Sequence, residues 1–233
     1  TFYAAQENQL IQDKGTPMTS LMTGANRGIG EGLMVLYTQA GETVIGTHRA
    51  ADAGQMRQLD VTDLASHTSL AQRLGDTTLD LLVCNAGVNL DKGQTLDDGY
   101  PPEMWAACFA ANVTGVFMTV QTLLPHLRRS AAPKIAIIGS QLGSQAIASG
   151  GSYIYCASKA AVLNVGRNLA VDLAPEGFSV GVYHPGWVRT DMGGGNADIS
   201  MQESAEGLAA RFAALSPETT GCYETWDGRA HPY

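Results

Sequence analysis

Short runs of β-branched and aliphatic residues alternate with longer Ala- and Leu-rich stretches along most of the chain. The predicted strands are 20–23, 43–47, 55–59, 79–84, 134–139, 179–183 and 222–225. The predicted helices between them are 30–40, 63–74, 103–129, 152–174 and 201–214. Strands that alternate with helices form βαβ units, and right-handed crossovers wind these into a parallel sheet with helices on both faces. The sequence therefore predicts a doubly wound α/β fold in a single domain.

The domain is predicted to cover residues 18–233. Residues 1–17 are polar and Gln-rich, precede the first strand and begin with Thr. Since Met18 stands just before that strand, we interpret 1–17 as an N-terminal leader or an upstream extension. This segment contains no basic region followed by an apolar one, so it is not predicted to be a signal peptide.

Charge and cysteine usage exclude several classes of protein. The chain has 22 acidic and 14 basic residues and a net charge of −8, which argues against a nucleic-acid partner. The four cysteines are far apart and form no C-x-x-C pair, so no metal site is predicted. Thiols within apolar stretches favour a reducing, cytoplasmic setting. No run of 18 apolar residues predicts a membrane span.

A glycine-rich turn follows the first predicted strand and opens a helix. Its spacing is Gly-x-x-x-Gly-x-Gly, which differs from the general dinucleotide fingerprint but serves the same needs. Glycines permit a sharp turn and close backbone approach to a pyrophosphate, and the helix N-terminus favours the phosphate charge. The candidate residues of this turn are Gly24, Asn26, Arg27, Gly28, Ile29 and Gly30.

The end of the second predicted strand favours NADP(H), with NAD(H) as the alternative. Proteins that prefer NAD place an acid there against the ribose hydroxyl. Here His48 and Arg49 follow the strand, and Arg27 lies in the glycine turn. Two guanidinium groups suit a 2′-phosphate, although either could instead be a solvated surface charge.

A tyrosine and a lysine stand four residues apart in Tyr-Cys-Ala-Ser-Lys, which places Tyr155 and Lys159 on one helix face. A nearby ammonium stabilises phenolate, so Lys159 is predicted to lower the pKa of Tyr155. Tyr153 lies off that face. Ser140 ends the fifth predicted strand and could hold a carbonyl oxygen, with Ser144 as the alternative hydroxyl.

These motifs, together with Asn85-Ala86-Gly87, Asn112 and Pro185-Gly186, follow one another in an order that resembles the short-chain dehydrogenase/reductase family. The resemblance runs from about residue 18 to 233. The segment Gly-Trp-Val-Arg-Thr-Asp-Met and the late Thr-Trp-Asp-Gly are similar to the C-factor-like subgroup, which includes sniffer-type carbonyl reductases. The resemblance implies a Rossmann fold, a carbonyl or alcohol substrate and pairing of helices 103–129 and 152–174 into a homodimer or tetramer.

The resemblance also implies roles for individual residues. Tyr155 would be the general acid/base, Lys159 would bind the nicotinamide ribose, Ser140 would orient the carbonyl and Asn112 would hold a relay water. Without the resemblance, Asn112 would be interpreted as a helix-interior amide bonded to backbone, and Asp60 as a helix cap. The implied cofactor contacts are Asp60, Val61, Asn85, Ala86, Gly87, Pro185, Gly186, Val188 and Thr190.

Three functions remain open from the sequence. The four-residue catalytic set favours a reductase or dehydrogenase, whereas a signalling protein on the same fold could bind nucleotide without turnover. A sugar-nucleotide epimerase is less favoured, since it would need a larger C-terminal substrate region.

Overall fold

A parallel sheet of seven strands forms the centre of the computed structural model, which describes residues 17–97 and 99–233. The strand order is β3-β2-β1-β4-β5-β6-β7. The strands are β1 Thr19–Met22, β2 Thr43–His48, β3 Met56–Gln58, β4 Leu81–Cys84, β5 Lys134–Ile138, β6 Ser179–His184 and β7 Tyr223–Thr225. The predicted doubly wound sheet is confirmed. Of the predicted leader, only Pro17 is among the described residues.

The described residues form six α-helices. They are α1 Gly28–Gln39, α2 Leu64–Leu74, α3 Pro102–Phe109, α4 Gly115–Leu127, α5 Tyr153–Leu173 and α6 Met201–Ala214. The predicted helix 103–129 is interrupted by a π turn, Ala110–Thr114, which joins α3 to α4. The sequence pattern contained no signal for this turn.

The helices lie on both faces because the central strands are apolar on both sides. In β5, Ile135 and Ile137 pack into the cluster that α2, α4 and α5 cover, whereas Ala136 and Ile138 pack beneath α1 and α6. Alternation of side chains along a strand divides a continuous apolar run between two layers. The hydrophobic core is therefore two layers, one on each side of the sheet.

The joined helix Pro102–Leu127 is long and apolar enough to cross a membrane by length and composition, with a mean hydropathy of 1.5. One face of this helix packs inside the domain, where the core contains Val116, Val120, Leu123 and Leu127. A core helix against a sheet has this composition for that reason.

The order of the strands fixes where a ligand can bind. The chain passes outward from β1 to β2 and β3, then crosses back to β4 beside β1. The loops after β1 and β4 therefore diverge and leave a crevice at the carboxyl edge of the sheet.

Candidate active site

The turn from β1 into α1 requires glycine at three positions. Gly24 (φ +64°) and Gly28 (φ +56°) have left-handed backbone, which other residues adopt only with strain. A Cβ on Gly30 would lie 2.5 Å from the Gly24 carbonyl oxygen and 2.6 Å from Nδ2 of Asn85. The N-cap residue Arg27 makes no side-chain cap hydrogen bond. The first N–H groups of α1 are thus available donors for an anion.

Asn85 fastens the loop after β4 to this turn. Its Nδ2 donates to the carbonyl oxygens of Thr23 (2.9 Å) and Gly24 (3.1 Å). The Thr23 hydroxyl oxygen accepts from the backbone N–H groups of Asn85 (3.0 Å) and Ala86 (2.9 Å). Cys84, just before them, lies buried in β4. The structure therefore joins the predicted motif 85–87 to the glycine turn, through a threonine that the sequence analysis missed.

The two arginines have different acidic neighbours. Arg27 Nη1 is 3.5 Å from Oδ2 of Asp191, and both side chains are largely exposed. Arg49 follows β2, and its charge is among the groups that lower the pKa of Asp60, after hydrogen bonds from Thr62. Asn26, between Gly24 and Arg27, is exposed, while Ile29 packs against the cluster under α1 and α6.

Asp60 organises the turn after β3 and is not a helix cap. Its Oδ1 accepts from the backbone N–H (2.9 Å) and the hydroxyl (2.7 Å) of Thr62. The cap of α2 is Asp63, which accepts from the backbone N–H of Ala65. Val61 is half-buried, and its carbonyl oxygen would lie 2.7 Å from a Cβ on Gly115, so the start of α4 approaches this turn closely.

Asn112 connects three segments from within the π turn. Its Oδ1 accepts from the backbone N–H of Val88 (2.8 Å). Its Nδ2 donates to the Val88 carbonyl oxygen (2.8 Å) and to Oγ of Ser158 (3.0 Å). The Ser158 hydroxyl in turn donates to the Tyr155 carbonyl oxygen (2.8 Å). This buried amide thus connects the loop after β4 to α5. Its place in a π turn is consistent with a functional role, because π turns often occur at functional sites.

Ser140, Tyr155 and Lys159 are buried together where β5 and α5 meet. Lys159 Nζ donates to the Ile138 carbonyl oxygen (2.9 Å) and lies 5.7 Å from the centre of the Tyr155 ring. Ser140 Oγ accepts from the backbone N–H of Leu142 (3.2 Å). Gly87 lies beside them, since a Cβ there would be 3.8 Å from Lys159 Nζ. The structure brings together the predicted hydroxyl, phenol and ammonium.

Burial controls the protonation of Tyr155 and Lys159. It raises the pKa of Tyr155 to about 12, although a hydrogen bond from Ser140 acts in the opposite direction. It lowers the pKa of Lys159 to about 8. The predicted lowering of the Tyr155 pKa is therefore reversed in this structure, because the cost of removing a phenolate from water outweighs its neighbours.

The loop after β6 closes one side of the crevice. Pro185 accepts from the Ser204 hydroxyl (2.7 Å), and Gly186 has a left-handed φ of +87° where a Cβ would meet Ile199. Val188 is buried. Thr190 lies against the glycine turn, because its Cγ2 would be 3.4 Å from a Cβ on Gly28. Of these four residues, Thr190 is thus the one that the structure places against the glycine turn.

Two alternatives from the sequence lie apart from this group. Tyr153 is 40% exposed, and its ring packs on Tyr100 at a centroid distance of 5.2 Å. Ser144 Oγ accepts from the backbone N–H of Ala146 (3.2 Å), as a turn serine does. The structure also adds two residues that the sequence analysis did not consider. Asp91, in the loop after β4, is fully buried against the first turn of α5. The Tyr223 hydroxyl donates to the Ser140 carbonyl oxygen (2.6 Å).

No group of three or more His, Cys, Asp or Glu side chains in residues 17–97 and 99–233 is arranged to hold a metal ion.

The family model for short chain dehydrogenases matches residues 19–199. The chain belongs to this family. It is 36% identical over 156 residues to C-signal of Myxococcus xanthus, covering 66% of this chain and 93% of that one. It is 34% identical to 1-hydroxy-2-glutathionyl-2-methyl-3-butene dehydrogenase of Rhodococcus sp., over 90% of this chain and 97% of the relative.

Solved structures of short-chain dehydrogenases agree with these relatives. The NADPH-bound carbonyl reductase from chicken fatty liver superposes with a TM-score of 0.85 at 27% identity, covering 93% of this chain and 99% of that one. Carbonyl reductase Sniffer of D. melanogaster shares the fold, with a TM-score of 0.84 at 24% identity over 93% of this chain and 100% of its own. The predicted resemblance to the C-factor-like and sniffer-type subgroup is confirmed.

Proposed function

We propose that this short-chain dehydrogenase is an NADP(H)-dependent oxidoreductase that transfers a hydride between nicotinamide and a carbonyl or alcohol substrate. The observation that carries the proposal is the burial of Tyr155, Lys159 and Ser140 together at the carboxyl edge of the sheet, beside the glycine turn. A carbonyl reductase with bound NADPH shares this architecture at 27% identity, and the Rhodococcus relative is a dehydrogenase.

The crevice has the features that a dinucleotide needs. The left-handed glycines Gly24 and Gly28 carry no side chains, and the N-terminus of α1 beside them has no side-chain cap, so backbone N–H groups are available to a pyrophosphate. Lys159 carries three N–H donors, of which Ile138 takes one, so others can reach ribose hydroxyls. The residues that would hold the cofactor are Gly24, Asn26, Arg27, Gly28, Ile29, Gly30, Arg49, Asp60, Val61, Asn85, Ala86, Gly87, Tyr155, Lys159, Pro185, Gly186, Val188 and Thr190.

The charges at the rim support a preference for NADP(H). Arg49 stands immediately after β2, and Arg27 lies at the N-cap of α1. Asp60 follows β3 and is engaged with Thr62, so it would contact adenine while the arginines attract a 2′-phosphate.

Bound NADPH would supply the hydride that adds to the carbonyl carbon. Tyr155 would donate its phenolic proton to the carbonyl oxygen, which completes the alcohol and leaves a phenolate. Lys159, one helical turn away, would stabilise that phenolate with its positive charge, and the Ser140 hydroxyl would hold the substrate oxygen. A pKa of about 12 keeps Tyr155 protonated before the reaction, as a general acid requires. In oxidation the same groups act in reverse.

Asn112 would support the return of a proton to Tyr155. Its side chain is fully used by Val88 and Ser158, so it fixes the π turn and the adjacent main chain. A water at that main chain would then lie between solvent and Lys159, as the family resemblance implies.

A signalling or regulatory protein that binds the cofactor without turnover is the second candidate. The similarity to C-signal favours it. The intact group of Tyr155, Lys159, Ser140 and Asn112 favours the enzyme, since nucleotide binding alone does not require a buried phenol. We further propose a cytoplasmic homodimer as the working form.

The deciding experiment is oxidation of NADPH in the presence of a carbonyl panel that includes phenanthrenequinone, benzaldehyde and acetophenone. Turnover that disappears in Tyr155→Phe would support the enzyme. NADPH binding without turnover on any aldehyde, ketone or quinone would support the regulatory protein instead.

A further inference from the structure

The N-terminus of α5 is capped by a residue 61 positions upstream. The N-cap residue Ser152 has left-handed backbone (φ +44°, ψ 41°) and makes no side-chain cap hydrogen bond. A serine cap normally requires extended backbone to reach the first turn. Instead, Asp91 Oδ2 accepts from the backbone N–H of Ile154 at 2.8 Å, and Oδ1 accepts from that of Tyr155 at 3.3 Å.

Asp91 is a buried carboxylate that the N-terminus of α5 stabilises. Its exposed fraction is 0%, and none of the ion pairs among residues 17–97 and 99–233 includes it. A buried carboxylate is costly unless hydrogen bonds and a favourable field compensate it. Two N–H donors and the positive end of a 21-residue helix provide both. Because the N-cap residue Ser152 makes no side-chain cap hydrogen bond, Asp91 takes over the capping of this helix.

The loop that carries Asp91 is itself held firmly. Asn85 fixes its beginning to the glycine turn, and Asn112 holds both backbone groups of Val88. Three residues after Val88, the chain places Asp91 under the first turn of α5. The position of Tyr155 is therefore connected to the cofactor crevice through a short, hydrogen-bonded segment.

We propose that Asp91 is a positioning residue for Tyr155: it caps the catalytic helix from the loop after β4 and places a carboxylate against the helix turn that carries the reacting phenol. The proposal rests on the proposed function. Asp91 acts through Tyr155 and is not assigned a contact with substrate or cofactor.

The electrostatic part follows from the groups around Tyr155. Burial raises the pKa of Tyr155 most, and the hydrogen bond from Ser140 lowers it. Electrostatic interactions with Cys108 on α3, Cys156 on α5 and Asp91 raise it further. Lys159 lies on the same helix, and the Tyr223 hydroxyl approaches from β7. A negative charge opposes ionisation of a phenol. Asp91 therefore favours the protonated form of Tyr155.

The test compares Asp91→Ala, which removes cap and charge, with Asp91→Asn, which retains an acceptor oxygen and removes the charge. Asp97→Asn is the matched control, an exposed acid in the same loop. The assays are NADPH-dependent reduction of phenanthrenequinone across pH, NADPH affinity by fluorescence, and hydrogen exchange of the amides in 153–157.

We expect Asp91→Ala to lower kcat by about 100-fold, the scale of an ångström-level misplacement of a catalytic group, while NADPH affinity stays within about twofold. Asp91→Asn should recover most of kcat, and the alkaline limb of its pH profile should move to lower pH. The amides in 153–157 should exchange faster in Asp91→Ala than in Asp91→Asn. If Asp91 only stabilised the fold, the alkaline limb of the pH profile would stay at its wild-type position in Asp91→Asn.

Wild-type kcat and wild-type exchange in Asp91→Ala would overturn the proposal. So would equal losses of kcat, NADPH affinity and thermal stability, since Asp91 would then serve folding only. If the wild-type protein reduces no carbonyl, the proposed function fails, but the exchange comparison still decides whether Asp91 caps α5.

Discussion

The ammonium nitrogen of Lys159 lies 5.7 Å from the centre of the Tyr155 ring, and both side chains are buried. Burial disfavours a charge on either group, so the phenol is held protonated and the ammonium is held at a cost. A buried ammonium is costly in a hydrophobic core. This cost is consistent with the proton-transfer role that we propose for the pair.

Tyr155→Phe should abolish carbonyl reduction while leaving NADPH binding nearly unchanged. The ring remains and only the proton donor is lost, so a loss of about 10²–10⁴-fold in kcat is expected. Steady-state kinetics and fluorescence titration measure the two quantities. Tyr153→Phe is the matched control, because that ring is exposed and packs on Tyr100; turnover by the Tyr155 variant at the wild-type rate would exclude it as the acid.

Lys159→Met should inactivate the protein and stabilise its fold near neutral pH. The pKa of Lys159 falls from 10.5 unfolded to about 8 folded, so the charged form costs the folded state roughly 3 kcal/mol at about pH 7. That cost is present below the folded pKa and disappears as pH rises through the unfolded pKa. The gain, reduced by the lost bond to Ile138, should thus shrink in denaturant unfolding at about pH 10. A gain independent of pH would contradict this account.

Arg49→Ala should weaken NADPH binding by about 10- to 100-fold, with little effect on NADH, because one charge-assisted contact to the 2′-phosphate is lost. Asp191→Asn should have the opposite and smaller effect, since it frees Arg27 from an exposed ion pair. Arg128→Ala, which breaks an exposed pair with Glu176, serves as the control for charge alone. Equal affinities for the two cofactors in the wild-type protein would disprove the preference.

Gly30→Ala should impair both folding and cofactor binding. Its Cβ would lie 2.5 Å from the Gly24 carbonyl oxygen, and overpacking of this kind costs about 1–3 kcal/mol. Gly195→Ala is the control, because no heavy atom lies within 4 Å of its Cβ position. Thermal unfolding and NADPH titration of the two variants should separate them clearly; indistinguishable variants would argue against close packing of this turn.

The helices 103–129 and 152–174 are predicted to form the dimer interface. Val171 on α5 is 73% exposed and Phe117 on α4 is 42% exposed, so both can enter an interface. We expect light scattering to show a dimer, and Val171→Glu to produce a monomer. Leu64→Glu, at a residue of α2 that is 61% exposed, should leave the dimer intact. A monomer in the wild type, repeated on a chain that starts at Met18, would refute the interface.

The strands and helices could be predicted because their signals are local. Alternation, glycine spacing and the four-residue separation of Tyr155 and Lys159 are all visible within short windows. What sequence could not supply depends on contacts between distant segments. Asp91 reaches Ile154, and Thr23 reaches Asn85, across more than 60 positions. Asn112, in the π turn, also bonds to Val88 and Ser158, which are distant in sequence. The pKa of Tyr155 depends on burial that no motif encodes.

The π turn has a consequence for protein engineering. Ala110–Thr114 contains one residue more than a regular turn would use, and each residue in a regular helix rotates the chain by about 100°. Deleting one residue there would yield a straighter helix with better backbone hydrogen bonds, which stability-guided redesign would favour. The same deletion would turn the amide of Asn112 away from Val88 and shift every outward-facing residue of α4 relative to α3. Regularising this helix would therefore be expected to trade activity and assembly for thermal stability.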